Sequence, residues 1–261
     1  MSTSTAEEPS TPDEPNRSDD SGAPVQPDVP VQPGEPIQYD EGYGTEVGVG
    51  PHPEPWPRGE RYDPELLAGG DRRNVVDRYR YWTREAIVAD LDTRRHDFHV
   101  AVENWGHDFN IGSVVRTANA FLAREIHIVG RRRWNRRGAM VTDRYQHVRH
   151  HPTVEDFVTW AQGEGLAIIG IDIFPDSVPL ETYELPKDCV LVFGQEGPGL
   201  TAEIHEAAVD TLSIEQFGST RSINAASAAA IAMHAWIRRH VFNQLPASTG
   251  PAGASEYYRP E

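Results

Sequence analysis

Cysteine is nearly missing from this 261-residue chain, and the single Cys189 excludes an internal disulfide. It lies in the apolar run Cys189-Val-Leu-Val-Phe193, the setting of a buried and unreactive thiol. Long hydrophobic runs are missing too. No uninterrupted apolar stretch nears the ~20 residues of a membrane helix, and no charged-apolar-small signal pattern opens the chain. These absences predict a soluble, cytoplasmic protein. Apolar residues are scarce before residue 60, where Pro, Gly, Ser, Thr, Asp and Glu dominate and Val-Gln-Pro occurs at Val25–Pro27 and Val31–Pro33. So little apolar surface cannot offset the entropy of ordering, and residues 1–60 are expected to form a disordered acidic tail. Residues 243–261 read as a second loose tail. Metal-ligand spacing is also lacking. His147, His150 and His151 cluster, but no carboxylate or cysteine completes a ligand set, so they are read as surface or RNA-facing and no metal is expected.

Positive charge is scarce overall, with a net charge of -16, yet it is concentrated. Residues 1–70 carry 15 acids against 3 basic groups, and residues 151–240 carry 13 against 4. Residues 71–150 reverse the balance, with 16 arginines against 10 acids. Screening confines each field to about 10 Å at ordinary salt, so a basic stretch can hold an anionic partner on an acidic protein. The overall charge therefore does not exclude RNA.

From residue 71 to 242 the pattern is that of one folded domain. Asn74 is placed to cap a helix carrying Val75, Tyr79, Trp82, Ala86 and Ile87. Strands are predicted at Phe98–Val102, Glu125–Val129, Leu166–Ile171, Cys189–Phe193 and Val209–Ile214. Helices are predicted at Ile111–Leu122, Val154–Gln162, from Thr201, and at Ser222–His240. Short alternating strands and helices give an α/β fold with a largely parallel sheet and helices on both faces.

Three glycine-bearing loops fall at the carboxyl ends of predicted strands, where open parallel sheets bind ligands. The first reads Asn110-Ile-Gly-Ser-Val-Val-Arg116-Thr-Ala. Asn110 is either the helix cap or a functional amide. Arg116 is either a solvated helix arginine or a rigid fork of donors aimed at a phosphate or a developing alkoxide. The second, Gly194-Gln-Glu196-Gly-Pro-Gly199-Leu200, is either a plain turn or a place where backbone meets a ligand. The third, Ser222-Ile223-Asn224, precedes an alanine-rich stretch. Its residues either cap the last helix or serve a site, and the alanines permit close packing against the sheet or a twin subunit. A further run, Arg131-Arg132-Arg133-Trp134-Asn-Arg136-Arg137, is either a solvated loop or an RNA contact, with phosphates on the arginines and a base on Trp134.

In this order and spacing, the three loops resemble the motifs of the SpoU/TrmH family of RNA ribose 2′-O-methyltransferases, in the SPOUT superfamily. The likeness spans about residues 95–242. Ile223 replaces the usual leucine, and Leu122 stands where glycine commonly follows Ala-Phe. The resemblance implies a SPOUT-type α/β knot, a parallel sheet with flanking helices whose C-terminal part threads a loop into a deep trefoil knot, an exception to the rule against threading. It implies S-adenosylmethionine as cofactor, held at Gly194, Ile214 and Ile223 with Gly199 and Leu200 and their backbone. Asn110, Arg116, Glu196, Ser222 and Asn224 are implied as the catalytic set, with Arg116 acting on the ribose hydroxyl. Family members are homodimers, and compact relatives commonly act on tRNA. Methylation of ribosomal RNA or of a base, and a non-catalytic knotted RNA-binding protein, are the competing readings.

Overall fold

The computed structural model describes residues 48–106 and 110–245, all within one compact unit. Most of the expected acidic tail (residues 1–47), the stretch 246–261, and His107, Asp108 and Phe109 lie outside the described residues. Residues 48–60 are held against residues 67–71: Val49 and Asp71 exchange backbone hydrogen bonds at 2.9 Å, and the His52 N–H donates to the Leu67 carbonyl.

Helix α1 (Pro64–Gly69) starts where local chemistry dictates. Asp63 accepts from the N–H groups of Glu65 and Leu66, and Pro64 occupies the first turn, where no N–H is needed. The helix expected from Asn74 forms later. Only a single tight turn spans Asp77–Tyr79, and Tyr81 takes the left-handed conformation at φ 63°, which no continuing helix accommodates. Helix α2 (Arg84–Asp92) begins after that break, capped by the Thr83 hydroxyl. Tyr79, Ile87 and Tyr145 bury together beneath it.

The domain then alternates as expected: β1 (His99–Asn104), α3 (Ile111–Ala120), β2 (Ile126–Gly130), β3 (Val148–His151), α4 (Val154–Gly163), β4 (Ala167–Ile171), β5 (Val178–Pro179), β6 (Cys189–Phe193), α5 (Ala202–Ala207), β7 (Asp210–Ser213) and α6 (Ala225–His240). The seven strands form one sheet in the order β3-β2-β1-β6-β4-β7-β5. Every pairing in it is parallel. Two strands escape the sequence pattern. β3, Val-Arg-His-His, offers one aliphatic residue at a sheet edge, and β5 has only two residues.

Alternating side chains build two cores, as a parallel sheet covered on both faces requires. Val100, Val102, Ile126 and Leu191 pack with Val114, Val115 and Ala118 of α3 and Met233 and Trp236 of α6. Ala101, Val129, Val190 and Val192 pack on the other face with Phe157 of α4 and Ile204 of α5. Each fully buried large side chain contributes roughly 1.5–3 kcal/mol. Cys189 is wholly buried, and burial pushes its thiol up to about 12, so it is inert. His151, expected at the surface, is instead buried, because β3 joins the sheet and turns that side chain under α4. Leu122, standing where the motif favours glycine, takes φ 55°. Among the described residues no helix is long and apolar enough to cross a membrane.

Candidate active site

β1, β6, β4 and β7 are consecutive in the sheet, and the loops leaving their carboxyl ends converge. Between them lies a cavity of about 290 Å³. Ile171 and Asp172 from β4, Phe193 and Gly194 to Glu196 from β6, Leu212, Ile214 and Gln216 after β7, and Ser222 to Ala225 line it.

The loop after β6 folds back on itself. Gln195 and Gly199 exchange backbone hydrogen bonds at 3.1 and 3.0 Å. A Cβ on Gly194 would stand 2.1 Å from the carbonyl carbon of Gly199, far inside contact distance, so glycine is required there. The loop is tied to its neighbours by two carboxylates, one half-buried and one fully buried. Asp172 Oδ2 accepts the Leu200 N–H at 2.7 Å. Glu103, fully buried at the end of β1, accepts the Thr201 N–H and hydroxyl, each at 2.8 Å, and the Trp105 indole N–H at 2.9 Å. Sequence reasoning missed both. A charged residue inside the apolar run Val100-Ala-Val-Glu103 was the available signal, since buried charge persists only when it is fully bonded.

Asn110 does not cap α3. Its side chain makes no capping bond; its Nδ2 donates to Glu196 Oε2 at 2.8 Å and its Oδ1 accepts from Asn224 Nδ2 at 2.8 Å. Asn224 caps α6 at the same time, its Oδ1 accepting from the N–H groups of Ala226 and Ser227. One amide thus joins all three sequence motifs. Gly194, Gly199, Ile214, Ser222, Ile223, Glu196 and Asn224 all line the cavity. Leu200 does not; its side chain enters the core beside Gly170, and only its N–H faces the site, held by Asp172.

Arg116 stands outside the cavity lining, exposed on α3, and forms no hydrogen bond or ion pair with the described residues. The basic run lies beside the same helix. Gly112 is buried: a Cβ there would meet the N atoms of Gly138 and Ala139 at 2.8 Å, so glycine lets the turn after the arginines lie directly on α3. Asn104, at the end of β1, donates to the carbonyls of Arg131 and Arg133 at 2.6 and 3.1 Å. Arg131, Arg132, Arg133, Arg136 and Arg137 are exposed. Trp134 is half-buried against the core, and the Arg136 guanidinium lies 5.4 Å from its ring centre, so one face of the indole is already covered.

The residues fit an adenosyl group. Ile171, Phe193, Ile214 and Ile223 offer apolar walls, three glycines expose backbone, and Gln216 Oε1 is buried there without a hydrogen-bond partner among the described residues. A flat heterocycle with polar edges matches such a lining.

Comparison with known proteins agrees with this geometry. The "tRNA (guanosine(18)-2'-O)-methyltransferase" of Escherichia coli (strain K12) is 26% identical over 156 residues, 58% of this chain and 68% of that one. The "A. aeolicus TrmH/SpoU tRNA modifying enzyme" superposes with a TM-score of 0.54 at 19% identity, over 67% of this chain and 91% of that one, a likeness of fold. The "AdoMet bound rRNA methyltransferase from Sinorhizobium meliloti" superposes with a TM-score of 0.51 at 25% identity, over 59% of this chain and 60% of that one. The chain therefore spans less than two thirds of this last relative. Residues 97–234, more than half of the chain and all three motifs that meet at the cavity, match the SpoU rRNA Methylase family, and the chain belongs to it.

Proposed function

We propose that this protein transfers the methyl group of S-adenosylmethionine to a ribose 2′-hydroxyl of tRNA. The observation that carries the reading is the Glu196–Asn110–Asn224 node, which closes three loops around one cavity beside an arginine-rich surface. Likeness to a tRNA ribose methyltransferase supports tRNA as the substrate, within a methyltransferase domain over residues 71–242.

The bound cofactor supplies an electrophilic sulfonium methyl, so the protein's task is to position a poor nucleophile and stabilise its charge. Gly194, Ile214 and Ile223 hold the cofactor with backbone and apolar contacts, and Gln216 meets a polar edge of it. Asn110 orients the loop between the cavity and α3. A guanidinium offers donors and no acceptor; Arg116 therefore acts as donor, binding the phosphate beside the target ribose and stabilising the oxygen as negative charge develops. Its exposure and lack of a partner among the described residues leave that fork available. Arg131 to Arg133, Arg136 and Arg137 hold further phosphates, and Trp134 contributes its open edge to a base. Glu196 and the Ser222 hydroxyl complete the wall between cofactor and RNA.

The family resemblance supports a C-terminal trefoil knot, in which α6 follows a threaded path between the loops after β6 and β7. It also supports a homodimer, and exposed Ile231, Val241 and Phe242 on and after α6 suit a subunit contact. Cytoplasmic tRNA is the substrate pool this reading implies.

The test is incubation of the protein with tRNA and methyl-labelled cofactor, with digestion to nucleosides. Label in a 2′-O-methylnucleoside is expected; label on a base, or only with ribosomal RNA, would replace the reading. Arg116→Ala should abolish transfer while cofactor binding survives.

A further inference from the structure

A second cluster of potential ligands lies at the other end of the same strands. His99 opens β1 and Glu125 and His127 stand at the start of β2, five residues before Asn104, which is roughly 17 Å along the strand. We propose that His99, Glu125 and His127 form a binding site for a single divalent transition-metal ion of the zinc class. One ligand atom from each converges, all within 4.8 Å of one another. His99 Nδ1 is 3.0 Å from His127 Nε2, and Glu125 Oε2 is 3.9 Å from the same nitrogen. Ligands about 2.0–2.1 Å from a tetrahedral zinc lie roughly 3.3 Å from each other, so small rotations of His99 and Glu125 complete three of four positions. The adjoining cleft is lined by Asp97, Glu125, Glu164 and Asp188 with Arg124 and Arg149; Asp97 is already paired with Arg124 and Lys187, so Glu164 and Asp188 supply its remaining negative charge.

The surroundings are those of a supported ligand set rather than a chance meeting. His127 Nδ1 lies 2.9 Å from His151 Nε2. With the proton on that Nδ1, the Nε2 lone pair faces the ion, as a ligating histidine's outer hydrogen bond ordinarily arranges. Trp160 stacks on the His127 ring at 4.0 Å and fixes its plane. The two histidines and the glutamate form an N,N,O set, which suits zinc, cobalt or iron(II) rather than calcium or magnesium. Sequence spacing does not reveal it, because the histidines come from separate strands. Arg149 takes both Glu125 oxygens, its Nε 3.2 Å from Oε1 and a terminal nitrogen 3.2 Å from Oε2, the oxygen nearest His127. It is a built-in competitor of the ion.

That competition makes the test directional. The full chain is titrated with Co²⁺, read by visible ligand-field absorption, and with Zn²⁺ in a calorimeter. One ion per chain is expected. His99→Gln and Glu125→Gln should each weaken binding by at least about tenfold, and Arg149→Gln should tighten it several-fold. His127 is fully buried and its replacement risks unfolding, so the half-buried His99 and Glu125 carry the test. No binding at sub-millimolar ion, equal binding by wild type, His99→Gln and Glu125→Gln, or weaker binding by Arg149→Gln overturns the proposal.

Discussion

Asn110→Ala removes a side chain that touches both other motifs. Among the bonds lost are those of Asn110 Nδ2 to Glu196 and of Asn224 Nδ2 to Asn110 Oδ1, each 2.8 Å long. At about 1 kcal/mol net per bond, the node holds the three loops together with roughly 2 kcal/mol. If that energy serves to preorganise the site, its loss appears in the transition state and kcat/KM falls about 30-fold, since 1.36 kcal/mol is one decade. The β6 loop keeps its anchors to Asp172 and Glu103 and Asn224 keeps its cap on α6, so the fold should survive, with far-ultraviolet circular dichroism unchanged. The rate of methyl transfer at tRNA concentrations well below KM, far under the melting temperature, is the assay. A double-mutant cycle with Glu196→Gln should return a coupling of about 1 kcal/mol. An Asn110→Ala protein that is folded and transfers methyl within about threefold of wild type would refute the assignment of the node to catalysis.

Two further outcomes are expected from the same structure. Replacing Arg131, Arg132 and Arg133 together with Gln should weaken tRNA binding and flatten the log-log dependence of affinity on salt by about 2 to 3, with cofactor affinity unchanged; an unaltered slope would place the RNA elsewhere. Asp71 is fully buried. Burial disfavours its charge, but hydrogen bonds from the Arg73 side chain and from the N–H groups of Tyr81 and Arg73 prevail and hold it at about 2, against 3.8 unperturbed. Since the folded value is depressed, its contribution is complete above about pH 4 and disappears as the pH falls toward 2. Asp71→Asn should therefore cost on the order of 2 kcal/mol in urea unfolding at pH 7, and the gap to wild type should close over that acid window.

Much of the fold was legible because it rests on local pattern. Five of the seven strands and the helices from α3 onward obey apolar runs and helical spacing that the cores later use, Val100 and Val102 on one face and Ala101 on the other. β3 was not legible, because an edge strand reading Val-Arg-His-His buries only His151 and its strand character comes from pairing with β2. The late start of α2 depends on Tyr81 turning left-handed, which composition does not announce. In the site, the order of the motifs identified the loops, yet not the roles within them. Sequence left Asn110 as either a cap or a functional amide, and the bonds that make it the node were not legible because its partners lie 86 and 114 residues away. Glu103 and Asp172 were passed over because each acts on the β6 loop only once the strands are aligned. Leu200 belongs to the motif but serves the core with its side chain and the site only through its N–H.

Cofactor binding by Gly194→Ala is the most direct measurement of whether the three loops make one pocket. A methyl at that position must displace the backbone of Gly199 and Leu200, the loop that closes this side of the cavity. Calorimetry with S-adenosylmethionine should show one site per chain in wild type and its loss in the folded variant. Undiminished binding by Gly194→Ala would mean that the cofactor lies somewhere other than this cavity.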